Sequence, residues 1–178
     1  IDNTTIPASC FKESTVKTVI LPLNLEAIPD NAFSNSSITS IDIPSSVVSI
    51  GNSAFESCTS LAGNLILPNG LQSIGDNAFR LCKKLTGDLR IPNSVINLGH
   101  HAFNNCGFTA LTLGTGITAI PQYCFSNGYS FTGNLIIPDQ VEVIEEGAFR
   151  SCTFNGYLTL GRGLQGIGSF AFSGSSSG

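Results

Sequence analysis

The sequence predicts a solenoid of stacked coils built on a parallel β-sheet, and three observations carry that prediction. A phenylalanine recurs at Phe11, Phe33, Phe55, Phe79, Phe103, Phe125, Phe149 and Phe172, with gaps of 22, 22, 24, 24, 22, 24 and 23 residues. Fourteen and twelve residues before all but the first of these rings stand aliphatic pairs, from Val19 with Leu21 to Leu158 with Leu160, and each pair brackets a variable residue. The position after each pair is Pro five times and Gly twice. A fixed period of this length marks a repeat array, whose units bury their apolar faces only by stacking on one another.

Each element of the unit has a physical reason. The aliphatic pairs alternate with variable positions, which is the period-two pattern of a half-buried strand. Pro22, Pro44, Pro68, Pro92 and Pro138 lack an N–H and end that strand. A second short extended piece follows, such as Ser45–Ile50 in the third unit. A tight turn then leads into the phenylalanine, and one helical or 3₁₀ turn is expected there. Five residues before each ring lies an aliphatic, and directly before it lies Ala or Cys, as in Ile74, Ala78 and Phe79. These three positions point into one continuous interior. A ring at every rung leaves room beside it only for a small residue. Parallel strands need a crossover of roughly a dozen residues, and each coil has one.

Composition narrows the function. The chain has 178 residues, 42% hydrophobic and 11% charged, with a net charge of −4. That is apolar enough for one sizeable folded domain. The eight Lys and Arg are scattered, with Lys83-Lys84 the one basic doublet, so no basic stripe awaits a nucleic acid. No apolar run is long enough to span a bilayer. Neither a serine-nucleophile elbow, a G-x-G-x-x-G stretch nor a P-loop is present, so the sequence points to no enzyme and no cofactor.

The six cysteines fall on repeat positions. Cys58, Cys82, Cys106 and Cys152 stand three residues after a ring, and Cys10 and Cys124 directly before one. Both sites want a small, semi-apolar group, so buried free thiols are expected. Adjacent rungs also leave a bridge among Cys58, Cys82 and Cys106 open. Zinc is disfavoured, because no C-x-x-C or finger-type Cys–His spacing occurs. His100-His101 and Glu145-Glu146 fill solvent-facing turn slots, and no metal is expected there. Gly63, Gly87, Gly133 and Gly156 precede strands of coils with an inserted residue, where each is expected to take a backbone angle that other residues avoid.

The outward strand positions form a continuous face. Thr18, Ile20, Ser40, Asp42, Asn64, Ile66, Asp88, Arg90, Ala110, Thr112, Asn134, Ile136, Tyr157 and Thr159 lie on it. Seven strands about 4.8 Å apart make a face roughly 30 Å long, enough for a peptide or a domain edge. An open isoleucine is harder to explain by solubility than Thr or Asn, although β-branched residues also favour strands in their own right. The candidate partner-binding residues are therefore Ile20, Asp42, Ile66, Asp88, Arg90, Ile136 and Tyr157.

The unit L-x-x-I-x-I-P-x-x-V-x-x-I-G-x-x-A-F-x-x-C resembles the BspA-like class of leucine-rich repeat, known from bacterial surface proteins. Residues 38–58, ITSIDIPSSVVSIGNSAFESC, carry it most fully, and the resemblance runs from Ile6 to Phe172. Gly114 and Gly161 stand where Pro is usual, and Cys124 where Ala is. The resemblance implies a leucine-rich repeat solenoid, a right-handed superhelix with a concave parallel sheet and short strands and 3₁₀ or helical turns on the convex side. Seven to eight repeats of 22–24 residues are expected. It also implies a secreted or cell-surface protein that binds host or neighbouring surface proteins, without membrane insertion. A carbohydrate-binding or spacer domain is the alternative, although a sugar site would use stacked aromatics and this face offers only Tyr157. Residues 1–172 are read as one domain whose first repeat lacks its strand, and 173–178 as a flexible tail. Without polar caps at either end, further repeats or domains are expected to flank the chain.

Overall fold

The computed structural model describes residues 5–174, so residues 175–178 of the expected tail lie outside the described residues. The chain winds into stacked coils whose short strands pair only in parallel, with no helix among the described residues. Two rows of strands run along the stack.

The first row is the extended piece that ends on the core aliphatic. It comprises β1 (Ala27–Ile28), β2 (Ser49–Ile50), β4 (Ser73–Ile74), β7 (Asn97–Leu98), β9 (Ala119–Ile120), β11 (Val143–Ile144) and β13 (Gly166–Ile167). β1, β2, β4 and β7 form one four-stranded sheet, and β9, β11 and β13 form another. Register follows the repeat: Ile28 faces Ile50, Ile50 faces Ile74, and Ile74 faces Leu98. The glycine after the aliphatic explains why pairing is best here. A Cβ on Gly75 would lie 2.6 Å from the backbone nitrogen of Asn52, and one on Gly99 would lie 2.4 Å from that of Asp76. At these two rungs only glycine fits, whereas Glu145 takes the same position where β11 meets β9.

The second row is the strand predicted from the alternating pairs, and it is more broken than the sequence suggests. It contains an isolated bridge between Thr18 and Ser40, β6 (Asp88–Arg90) paired with β8 (Ala110–Thr112), and β10 (Leu135–Ile136) paired with β12 (Leu158–Thr159). Just upstream, β3 (Ala62–Asn64) pairs with β5 (Lys84–Thr86). Pairing lapses wherever a 24-residue coil follows a 22-residue one, because the inserted residue displaces the strand. The insertion sits at Gly63, Gly87 and Gly133, whose φ values of 87°, 77° and 74° match the expectation from sequence. Gly156 is different. It has no positive φ and is needed for space, since a Cβ there would lie 2.7 Å from the Gly133 carbonyl carbon.

The segment around each ring is a chain of tight turns, where a helical or 3₁₀ turn was expected. Alternate N–H groups bond within the coil and across it. Ala32, Ser34 and Ser36 donate three residues back, to Pro29, Asn31 and Phe33, whereas Asn31, Phe33 and Asn35 donate to Asn52, Ala54 and Glu56 of the next coil. A helix would consume all six donors locally and leave the coils unlinked. Alternation requires a left-handed residue two before and two after every ring. All sixteen such positions have φ from 51° to 70°, and they include Asn31, Asn35, Asn77, Asn105 and Asn127. Asparagine tolerates this conformation, but Leu81, Tyr123 and Phe170 hold it against their own preference.

The core is one contiguous column. Neighbouring rings from Phe11 to Phe172 stack with centroids 5.0–5.8 Å apart and planes within 8°. A second apolar column, missed from sequence, lies five or six residues after each ring and holds the buried Ile38, Leu61, Leu85, Phe108 and Phe131. Phe108 meets Phe103 of the first column edge-on at 6.1 Å, and Phe131 stacks on Phe154 of the following coil at 4.7 Å.

The thiols complete the core. All six cysteines are free, and every one but Cys10 is buried. Cys58, Cys82, Cys106 and Cys152 each donate to the backbone carbonyl of the ring residue one coil back, at 2.9–3.1 Å. Burial pushes Cys106 and Cys152 up to about 12, and Cys82 and Cys124 well above their ordinary value. The native protein should therefore show one thiol reactive to a disulfide reagent at pH 8, Cys10, and six after unfolding. Two or more fast native thiols would contradict this packing. The unfolded chain ionises its thiols first, so their contribution to stability is full below pH 9 and lost as pH climbs towards 12.

Candidate functional site

The outer row of strands carries the residues singled out from sequence. In the strands before the last the flanking aliphatics turn towards the core, as Leu89 does at full burial, so the residues between face out; in the last, Leu158 and Leu160 are themselves exposed. Ile20 is 93% exposed, Ile66 79%, Ile136 61% and Tyr157 81%, and Asp42, Asp88 and Arg90 are exposed as well.

They border more than one recess along this row. Ile66, Asp88 and Arg90 line a shallow recess of about 580 Å³ with Asn64, Asn69 and Pro92. Ile20 and Asp42 line a separate one of about 230 Å³ with Leu23 and Pro44. Tyr157 borders a third, of about 160 Å³, with Leu135, Phe154 and Phe172. Ile136 stands on β10 apart from these three recesses. Asp88 and Arg90 pair with each other at 3.4 Å, both well exposed, so each retains hydrogen-bonding capacity towards a partner. Leu23, 87% exposed beside Ile20, belongs to the same surface and was not singled out from sequence. It lies after the strand-ending proline, outside the alternating pattern.

The turn edge carries a polar network that the spacing along one coil does not reveal. Asp30, Asn52 and Asp76 each accept the backbone N–H one coil on, from Asn52, Asp76 and His100, at 2.7–2.9 Å. The next rung reverses: Glu145 accepts from the Gln122 N–H at 2.9 Å and lies 3.6 Å from His100. His101 stacks on Tyr123 at 5.2 Å, and burial followed by the Arg80 charge holds the His101 imidazole below its usual range. The Tyr123 hydroxyl donates to Glu146 at 2.5 Å, and that bond raises its pKa. The Tyr123 ring has His101 on one face and covers Gly147, where a Cβ would meet it at 2.2 Å. With its flanks occupied, the ring offers no stacking platform. Among the described residues no three His, Cys, Asp or Glu side chains converge on a metal position, and no helix is long and apolar enough to cross a membrane.

Comparison with known proteins agrees with this geometry. The family model for the BspA type leucine rich repeat region matches six copies, over residues 2–87 and 62–177. No curated protein matches the sequence. Among solved structures, the chain is similar to a leucine rich cell surface protein from Faecalibacterium prausnitzii, at 25% identity and a TM-score of 0.57 over 90% of this chain and 52% of that one. It is also similar to the pneumococcal vaccine antigen PcpA, at 26% identity and a TM-score of 0.61 over 92% of this chain and 44% of that one. A leucine-rich repeat protein from Eubacterium ventriosum shares the fold at 15% identity and a TM-score of 0.51, over 96% of this chain and 68% of that one. The chain thus spans about half the length of the first two structures.

Proposed function

The chain belongs to the BspA-type leucine-rich repeat family, and from that premise we propose that it is a non-enzymatic protein-interaction module of a cell-surface or secreted protein. The outer strand row is its contact surface, with Ile20, Asp42, Ile66, Asp88, Arg90, Ile136 and Tyr157 as contacts. The observation that carries this reading is the exposure of Ile20, Ile66 and Ile136 at one register of a row whose other outward positions are mostly polar. Isolated apolar residues on a surface are ordinary, but large ones at one register of a periodic face suit contact with a partner. The mixed charges at Asp42, Asp88 and Arg90 suit a protein surface better than a polyanion. The surface location is supported by the F. prausnitzii neighbour, described as a cell surface protein.

The test is a triple variant, Ile66→Asp, Arg90→Glu and Ile136→Asp, compared with the parent by cross-linking and recovery of partners from native extracts. All three residues are exposed, so the variant should fold and lose those partners. Retention of every interaction by a folded triple variant would remove the outer row as the site. A glycan array run alongside separates the carbohydrate alternative, since binding that survives in the variant there would favour a sugar ligand elsewhere.

A further inference from the structure

We infer that the solenoid contains a built-in joint between the coil of Phe103 and the coil of Phe125, so that its earlier and later coils open as two separate blocks.

The first observation is a missing donor. At the position after the core aliphatic, Gly51, Gly75, Glu145 and Gly168 donate their N–H to the preceding coil, at Ile28, Ile50, Ile120 and Ile144; Gly99 makes no such bond to Ile74, and there β7 stays paired with β4 through the Ile96 and Asn97 N–H groups. Pro121 occupies this position in the coil of Phe125 and has no N–H to give to Leu98. The neighbouring bonds are missing too. Val48, Gln72, Ile96 and Glu142 each donate one coil back, but their counterpart Thr118 makes no such bond to Ile96. As a result the first row of strands divides here, into β1-β2-β4-β7 and β9-β11-β13.

Packing loosens at the same seam. The Phe103–Phe125 distance of 5.8 Å is the widest of the column. Leu98 is only half-buried, whereas Ile50, Ile74, Ile120 and Ile144 at the same register are buried. The ladder of turn-edge carboxylates and amides also stops at His100, because the Gln122 N–H turns forward to Glu145, which leaves the 3.6 Å approach of Glu145 to His100 as the side-chain tie beside this corner.

The opposite side holds. His101, Phe103 and Asn105 still donate to Gln122, Cys124 and Ser126, Asn104 bonds Ser126, and β6 stays paired with β8. Intact bonds on the turn edge and outer strand, with none between β7 and β9, make a hinge that opens at the Leu98–Pro121 corner. Ile20, Asp42, Ile66, Asp88 and Arg90 then ride on the first block, and Ile136 and Tyr157 on the second.

Native-state hydrogen exchange on the intact chain, with denaturant raised stepwise, tests this. Amides at Phe125, Glu142 and Phe149 should exchange about tenfold or more faster than those at Gln72 and Phe79, as one cooperative unit. A single opening curve shared by both groups overturns the joint. Pro121→Gly restores the donor with a residue that the repeat uses at this position, and it should bring the two curves together. A gap that persists unchanged in a folded Pro121→Gly variant overturns the assignment to this seam.

Discussion

Phe79→Ala should lower stability by about 3–5 kcal/mol, measured by denaturant unfolding. Phe79 is fully buried, stacked on Phe55 at 5.0 Å and on Phe103 at 5.4 Å. Its removal leaves a void with rigid walls, because both neighbouring rings are held by backbone bonds: Phe55 donates to Ala78 and Phe103 to Cys124. The turn chain cannot collapse into the void without breaking these links. Phe170→Ala serves as the control, since Phe170 is 63% exposed and lies outside the column; its cost should stay within about 0.5 kcal/mol. Equal losses in the two variants would mean that the column does not hold the coils together.

Gly75→Ala should be nearly as damaging, at about 3 kcal/mol or more, for the opposite reason. The added methyl would lie 2.6 Å from the Asn52 nitrogen and 2.7 Å from the Gly51 carbonyl carbon. Both are backbone atoms of the preceding coil, and neither can rotate away. The coils must separate, which breaks the Gly75-to-Ile50 bond and pulls β4 from β2. Gly70→Ala is the matched control, because its added Cβ meets nothing within 4 Å. It should be neutral or slightly stabilising, through the restricted unfolded chain. Thermal unfolding of the two variants side by side separates close approach from a general intolerance of alanine.

Much of this was legible in the sequence because one coil repeats its own physics. The Phe column, its small neighbour and the core aliphatic recur at fixed offsets, and each rung needs the same shape as the last. Five of the six cysteines could be assigned to the core for the same reason, whereas Cys10, in the first coil, is exposed. The second column was harder to see, since its members vary between Ile, Leu and Phe and shift by one residue with the insertions. The left-handed positions left a signal in the recurring Asn two residues either side of the ring. Leu81, Tyr123 and Phe170 hide it.

The sequence by itself determined the period, the parallel stacking and which side chains form the phenylalanine column and its small and aliphatic neighbours. These follow from burial, and burial follows from spacing along the chain. Tertiary structure alone decided how neighbouring coils are tied together. It replaced a helical turn with alternating bonds to the next coil, divided the outer row at the insertions, and parted β7 from β9 at Pro121. A hydrogen bond between coils depends on the relative height of two segments some 22–24 residues apart. No pattern within a single coil encodes that height; it emerges when the coils stack.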